Sequence, residues 1–375
     1  MKVARSRTEF AVAALWLAYA LATLPAAAQT LEFGTLLNFK GGADGSSPTA
    51  PLVEYGGVFY STTAGGGSPA CSGGCGTVFS LTPPPSPGVY WTGTTLYSFT
   101  GGSDGGMPIG GLVVGSGGVL YGTTKMGGSA NRGTVFSLTL PAPGGTWQEA
   151  VLHSFPGGGD GSYPAATLVM GSRGELYGVT ETGGGPNAGT VFSMTPPGPD
   201  GGPWTQHVLY TFAGGAAGAN PTKAVTIEPR TGAIYGTTRN GGTQNFGTVF
   251  LLAPPASSGG PWTKTTLHSF MDANDGAYPN ELLLGDKGVI YGTTSGYSTQ
   301  GNVFALEPPA SPGGDWTVNV LHAFANDFID GAFPTAGLTW GGGAFYGTTA
   351  GGGTDENCSC GTAFSLTPPV AAGGS

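Results

Sequence analysis

Four histidines, a recurring set of aspartates and four cysteines are the side chains of this sequence whose chemistry could go beyond packing. Histidine near neutral pH serves as acid, base or metal ligand. His153, His268 and His322 each stand two residues before a Phe, with Tyr97, Tyr210 or Asn38 at or beside that slot in other copies, and His207 stands alone in its own slot. A slot that accepts His, Tyr or Asn reads as a packing or strand-surface position. No His-x-His or His-Glu-x-x-His spacing occurs, so no metal site is expected. Asp44, Asp104, Asp160, Asp275 and Asp330 each precede a Gly, with Ala217-Gly218 at the same place in one copy. Asp-Gly is a turn signal, since Asp bonds nearby backbone and Gly takes positive φ freely. Calcium is the sharper reading of these loops, but each offers one carboxylate where a full site takes about six to eight oxygens.

Cys71 and Cys75 lie before Gly76, and Cys358 and Cys360 before Gly361, in equivalent places of the first and last copies. An even count in an exported chain points to disulfides. Two pairings compete. Local bridges close short loops and contribute about 2 kcal/mol, whereas bridges between the ends of the array close a long loop and approach about 5–6 kcal/mol. Zinc held by four thiolates fits the spacings poorly. There is no Ser-His-Asp order, no Gly-x-Ser-x-Gly elbow and no phosphate loop, and the sparse charges nominate no carboxylate pair. Neither a cofactor nor a catalytic residue is expected.

The elements that must position these groups come from a repeat. The Tyr of a Leu-Tyr-Gly-Thr-Thr pattern falls at Tyr60, Tyr121, Tyr177, Tyr235, Tyr291 and Tyr346, and a Gly-Thr-Val-Phe pattern ends at Phe79, Phe136, Phe192, Phe250, Phe304 and Phe364. A Pro-rich turn follows, then Trp91, Trp147, Trp204, Trp262 and Trp316, each eight residues before Phe99, Phe155, Phe212, Phe270 and Phe324. The fixed spacing favours blade packing for the Trp set over sugar stacking. A Gly-Gly-x-Asp-Gly-x-x-Pro stretch closes each period of about 57 residues. Four short strands per period, each bounded by Gly or Pro, match a blade, and six copies predict an all-β, six-bladed β-propeller of antiparallel four-stranded blades. With blades starting after the prolines at 48, 108, 164, 221, 279 and 334, the last has three strands, and Leu31 to Phe39 carries the pattern of the missing one. The N-terminal strand is therefore expected to close the last blade, which removes two exposed edges. An open β-solenoid is the alternative.

This ordered series, from Leu-Tyr-Gly-Thr-Thr to Leu-His-Ser-Phe, resembles the GloVer-type tandem-repeat proteins of bacterial surfaces over residues 31 to 369. The resemblance implies an exported bacterial protein of unassigned biochemical function; members often carry a C-terminal sorting anchor that has no counterpart here. A weaker likeness to NHL-type propellers, through the Gly-x-x-Tyr strand, bears on fold alone.

Lys2, Arg5 and Arg7 precede an apolar run from Phe10 to Leu24, and Ala26-Ala27-Ala28 supplies small residues. This reads as a signal peptide over residues 1–28, cleaved after Ala28, leaving a propeller domain over 29–369 and a disordered tail over 370–375. A secreted, periplasmic or extracellular monomer without membrane insertion is expected. The formal charge is −9, and losing the three cations and one anion of the leader leaves −11. Such a chain has no footprint for nucleic acid. With 73 Gly and 30 Pro placed at fixed repeat positions, the composition signals turns and short strands, and almost no helix is expected.

In a propeller of this strand order the loops from fourth to first strand and from second to third emerge on one face, and they vary most between copies. Variable loops on a repeated scaffold are where binding is built. Lys125, Arg132, Glu181, Asn187, Arg239, Asn240, Gln244, Asn245, Gln300, Asp355 and Glu356 are the polar residues expected there. The expected function is an exported, non-enzymatic binding or surface-interaction module for an extracellular glycan or protein. Alternatives are a hydrolase or lyase acting on a polysaccharide or lactone from that face, and a structural envelope protein.

Overall fold

A computed structural model describes residues 35–86, 90–141, 145–257, 259–311, 313–325, 330–353 and 361–368. It is a six-bladed β-propeller of antiparallel sheets, and in blades 1 to 5 the four main strands lie side by side in sequence order. The first blade runs Val53–Tyr55, Val58–Thr63, Thr77–Thr82 and Thr92–Ser98, and the fifth runs Leu283–Leu284, Ile290–Thr294, Asn302–Glu307 and Thr317–Ala323. Blade 6 shows Thr339–Gly341, Ala344–Gly351 and Ala363–Leu366. No α-helix occurs among the described residues, only short 3₁₀ turns, and none is long and apolar enough to cross a membrane.

The third strand of blades 1 to 5 is buried along almost its whole length, because blades cover it on both sides; Thr77–Thr82 and Thr134–Thr139 expose only their last residue, whereas Ala363–Leu366 of blade 6 is partly exposed. The fourth strand is the outer edge, which is why its first half is polar or Thr-rich. Between third and fourth strands, blades 1 to 5 each have a bulge beside the Phe of Gly-Thr-Val-Phe. The Phe ending each fourth strand stands edge-on to the third-strand Phe of the next blade: Phe99 on Phe136 at 5.0 Å, Phe155 on Phe192 at 5.3 Å, Phe212 on Phe250 at 5.2 Å, Phe270 on Phe304 at 5.3 Å and Phe324 on Phe364 at 5.1 Å. The first four pairs are fully buried, each ring contributing roughly 1.5–3 kcal/mol. Gly122 explains the recurring Gly of Leu-Tyr-Gly-Thr-Thr, since a Cβ there would stand 2.6 Å from Phe136 Cζ.

Two of the Trp set stand against the ring of the preceding blade, Trp147 on Tyr60 at 6.0 Å and Trp204 on Tyr121 at 5.5 Å, while Trp91 meets Phe59 of its own blade at 5.8 Å. The strand expected to close blade 6 is not seen: residues 31–34 lie outside the described residues, and residues 35–39 form no strand. Phe39 nonetheless stands edge-on to Phe79 at 5.0 Å, the sixth member of the Phe series. Ring closure has independent support in the segments leading into the first strands. Those of all six blades line one axial cavity of ≈ 350 Å³. Second-strand threonines of three blades hold the entry segment of the next blade, with Thr62 donating to Gly110 O at 3.0 Å, Thr123 to Ala166 O at 3.2 Å and Thr293 to Ala336 O at 2.7 Å.

Candidate binding face

Each fourth-to-first loop clasps the second-to-third loop of the blade it enters, so the two loop sets form one continuous face. The regular clasp is backbone to backbone: Gly128 N–H donates to Gly102 O at 2.8 Å, Gly184 to Gly158 O at 2.7 Å and Gly242 to Gly215 O at 3.0 Å. At the base of the second-to-third loop two buried threonine hydroxyls meet at 2.8 Å, as in Thr124–Thr134, Thr180–Thr190 and Thr238–Thr248. Asn131, Asn187 and Asn245 turn the loop with positive φ, and each Oδ1 accepts a glycine N–H within 2.7–2.9 Å.

The residue preceding the repeat proline is left-handed in every blade, at φ of 56–58°: Ser47, Met107, Tyr163, Asn220, Tyr278 and Phe333. Bulky side chains resist that region, at roughly 1–3 kcal/mol each, and a following proline restricts the backbone further. Hydrogen bonds hold it there. Tyr163 N–H donates to Arg132 O and Tyr278 N–H to Phe246 O, both at 2.8 Å, while Ser295 N–H reaches Tyr278 O at 3.1 Å. The result is a series of equivalent stations between blades, five of them complete among the described residues, each with three side chains: the left-handed residue, the residue before the Gly of Gly-Thr-Val-Phe, and the residue after Thr-Thr. The backbone repeats while the side chains differ. Met107 and Phe333 are each 41 % exposed.

The predicted site residues divide across this plan. Lys125 and Glu181 are station residues of adjacent blades and form an ion pair at 2.6 Å, a surface contact worth about 0–1 kcal/mol. Arg132 lies over Tyr163 at 5.7 Å and Arg239 over Tyr278 at 4.9 Å. Gln300 occupies a station, with Oε1 buried and without a hydrogen-bond partner. Asn187 and Asn245 spend their side chains on their own turns, Asn240 pairs by its backbone with Ala219, and Gln244 is exposed at a loop tip. Asp355, Glu356, Cys358 and Cys360 lie outside the described residues. Cys71 and Cys75 form the local disulfide, in a loop that borders a cleft of ≈ 630 Å³ shared with Met107, Met126 and Asn131.

Sequence reasoning passed over the apolar half of the face: Met107, Tyr163, Phe246, Tyr278, Tyr297 and Phe333. The signal was present, because the residue before each repeat proline changes type in an otherwise constant motif. The histidines also have a partner that the spacing concealed. His153 Nε2 meets Asp160 at 2.8 Å, His268 meets Asp275 at 2.6 Å and His322 meets Asp330 at 2.9 Å, and Tyr97 OH donates to Asp104 at 3.0 Å. The aspartates at 104, 275 and 330 also accept backbone N–H groups of their own turns, from Thr100, Met271 and Ala325, each at 2.8 Å. These pairs buttress the turns that build the face. Burial raises the Tyr97 hydroxyl well above its ordinary range, and the Asp104 charge adds to it.

Lys223 is the cation of the axial cavity, and its Nζ donates to Thr335 O across the ring at 2.7 Å. Burial lowers its pKa; the neighbouring Glu281 opposes that shift and Arg239 adds to it.

A family model described as the Gloeobacter/Verrucomicrobia repeat matches residues 23–187, 68–303 and 199–373. Among solved structures, the chain is similar to the periplasmic gluconolactonase of Pseudomonas aeruginosa, at 16% identity and a TM-score of 0.46 over 77% of this chain and 75% of that one. It is similar to a glucose dehydrogenase-type oxidoreductase of Thermus thermophilus, at 15% identity and a TM-score of 0.46 over 86% and 97%. A luciferin-regenerating enzyme gives 13% identity and a TM-score of 0.45 over 88% and 92%. No curated protein matches the chain.

Proposed function

The chain belongs to the Gloeobacter/Verrucomicrobia repeat family, and from that premise and the geometry of its loop face we propose that it is an exported, non-enzymatic module that binds an extracellular glycan or protein. One observation carries the reading. A strained left-handed backbone position recurs six times and carries Ser, Met, Tyr, Asn, Tyr and Phe. A scaffold that repeats the costly backbone while varying the side chain is organised to present different groups on one surface. The charged groups there are engaged in ways that suit presentation: Lys125 and Glu181 neutralise each other, and two arginines lie over tyrosine rings. Export rests on the signal-peptide pattern and is in keeping with the Cys71–Cys75 bridge.

The test is binding of purified residues 29–375 to glycan and protein arrays, repeated with Tyr163, Tyr278 and Phe333 all replaced by Ala. Binding that disappears in the triple variant, with unfolding temperature little changed, supports the reading. Capture of nothing, or capture indifferent to the three changes, removes it. Turnover of a polysaccharide or lactone that Glu181→Gln abolishes would install a hydrolase or lyase in its place.

A further inference from the structure

The station between blades 4 and 5 departs from the repeat in two segments, and the two segments touch. In the fourth-to-first loop, glycines at φ 75–87° stand at Gly41, Gly101, Gly157 and Gly214; the equivalent residue here is Asp272, buried, at φ 65°. In the second-to-third loop, the two glycines of Gly-Gly, as at Gly127 and Gly128, Gly183 and Gly184, and Gly241 and Gly242, are replaced by Tyr297 and Ser298. The loop is also shorter, with Asn302 taking the place of the base threonine eight residues after Thr294, against ten in the three preceding blades. The regular backbone clasp is rewritten around one carboxylate. Asp272 accepts Tyr297 N–H at 3.1 Å and Ser298 N–H at 3.0 Å, and it accepts the Ser298 hydroxyl as well.

What the rewriting achieves is the placement of Tyr297. Its ring is 69 % exposed and sits 5.5 Å from Phe246 and 6.1 Å from Tyr278, while Phe246 and Tyr278 are 6.3 Å apart. Arg239 lies over the Tyr278 ring, exposed and without an ion pair among the described residues. Three clustered rings cost solubility if they serve nothing, and Tyr297 stands where the three preceding blades have a glycine, Gly127, Gly183 and Gly241.

We propose that Phe246, Tyr278, Tyr297 and Arg239 form a stacking subsite for a neutral polysaccharide chain, a reading that rests on the loop face being the binding surface. The flat C–H face of an equatorially substituted pyranose matches an aromatic ring, and the sugar's hydroxyls match the donors of a guanidinium that lies over its tyrosine. The charge of the chain, −9, selects against a polyanion. A folded protein partner would present a broader surface than one station spans, so a single extended chain of sugars is the better fit.

Calorimetric titration of residues 29–375 with cellohexaose, laminarihexaose, xylohexaose and hexagalacturonate tests this, using wild type, Tyr297→Ala, Arg239→Gln and a double change of Tyr163 and Phe333 to Ala at other stations. The expected result is binding of at least one neutral hexamer that varies little with salt, weakened about tenfold or more by Tyr297→Ala and by a smaller factor by Arg239→Gln. Asp272→Gly restores the residue type of the regular loop and is expected to fold, yet to weaken binding by releasing Tyr297. Binding of hexagalacturonate alone, or of no hexamer, overturns the proposal. Binding lost only in the Tyr163/Phe333 variant overturns it too and leaves the loop-face reading standing. Binding of proteins but no glycan on the arrays separates the two claims in the same way.

Discussion

The second-to-third loops of blades 2, 3 and 4 and that of blade 5 occupy the same place in the fold and are held by different physics. The three regular loops are secured by backbone bonds, a threonine pair and an asparagine turn, with little dependence on neighbouring side chains. Blade 5 relies on one buried carboxylate from another segment, and two of its polar atoms, Thr299 Oγ1 and Gln300 Oε1, are buried without partners. The regular loops are built for stability. The irregular one gives up part of it and exposes Tyr297 beside the half-buried rings of Phe246 and Tyr278, the trade expected where a surface is used for recognition.

The sharpest way to break this comparison is to unbalance its two halves. Phe250→Ala removes a fully buried ring from a regular blade and is expected to cost about 3–5 kcal/mol in urea unfolding, whereas Tyr297→Ala should alter stability by less than about 0.5 kcal/mol. Comparable costs at both sites would end the claim that the aromatic cluster is not structural. Next in size, Asp272→Ala leaves two N–H donors without their acceptor and keeps a Cβ at positive φ. It is expected to cost about 1–3 kcal/mol, with faster hydrogen exchange confined to residues 295–301. Exchange that spreads evenly over the blades would show that the loop is not independently secured.

The smallest expected effect concerns one slot of the outer strands. Gln206 donates to Asp160 O at 3.4 Å and Lys264 to Ala217 O at 2.6 Å, whereas Glu149 in the same slot leaves Oε1 buried without a partner. Burial, aided by the Asp104 charge, raises the Glu149 pKa to about 7. A carboxyl whose folded pKa lies above its unfolded value contributes stability in full below the unfolded value, near 4.5, and loses it as pH rises through about 7. Unfolding midpoints measured from pH 4 to 8 should therefore fall across that window. Glu149→Gln, which supplies the donor seen at Gln206, should flatten the fall and add about 1 kcal/mol at pH 8. An unchanged slope would place the pH dependence elsewhere.

Much of this molecule was legible in the order of its residues. Period, blade number, the Phe series, the Trp packing and the Asp-Gly turns all follow from local rules: strand alternation, glycine at positive φ, proline at turns. The make-up of the loop face was legible only in part. Lys125, Arg132, Glu181, Arg239 and Gln300 could be assigned to the loop face because polar variation in a loop is conspicuous, whereas the place of Tyr163, Tyr278 and Phe333 on the same face was hidden because an apolar residue beside a proline looks like packing.

By itself the sequence determined six copies of one blade, because each copy specifies its own strands and turns without reference to the others. Tertiary structure alone decided which variable residues meet. Asp272 and Tyr297 are 25 residues apart, and Phe246 reaches Tyr278 across a blade boundary. Their encounter depends on how the sheets twist and stack around the axis, and no pattern within a single repeat encodes that geometry.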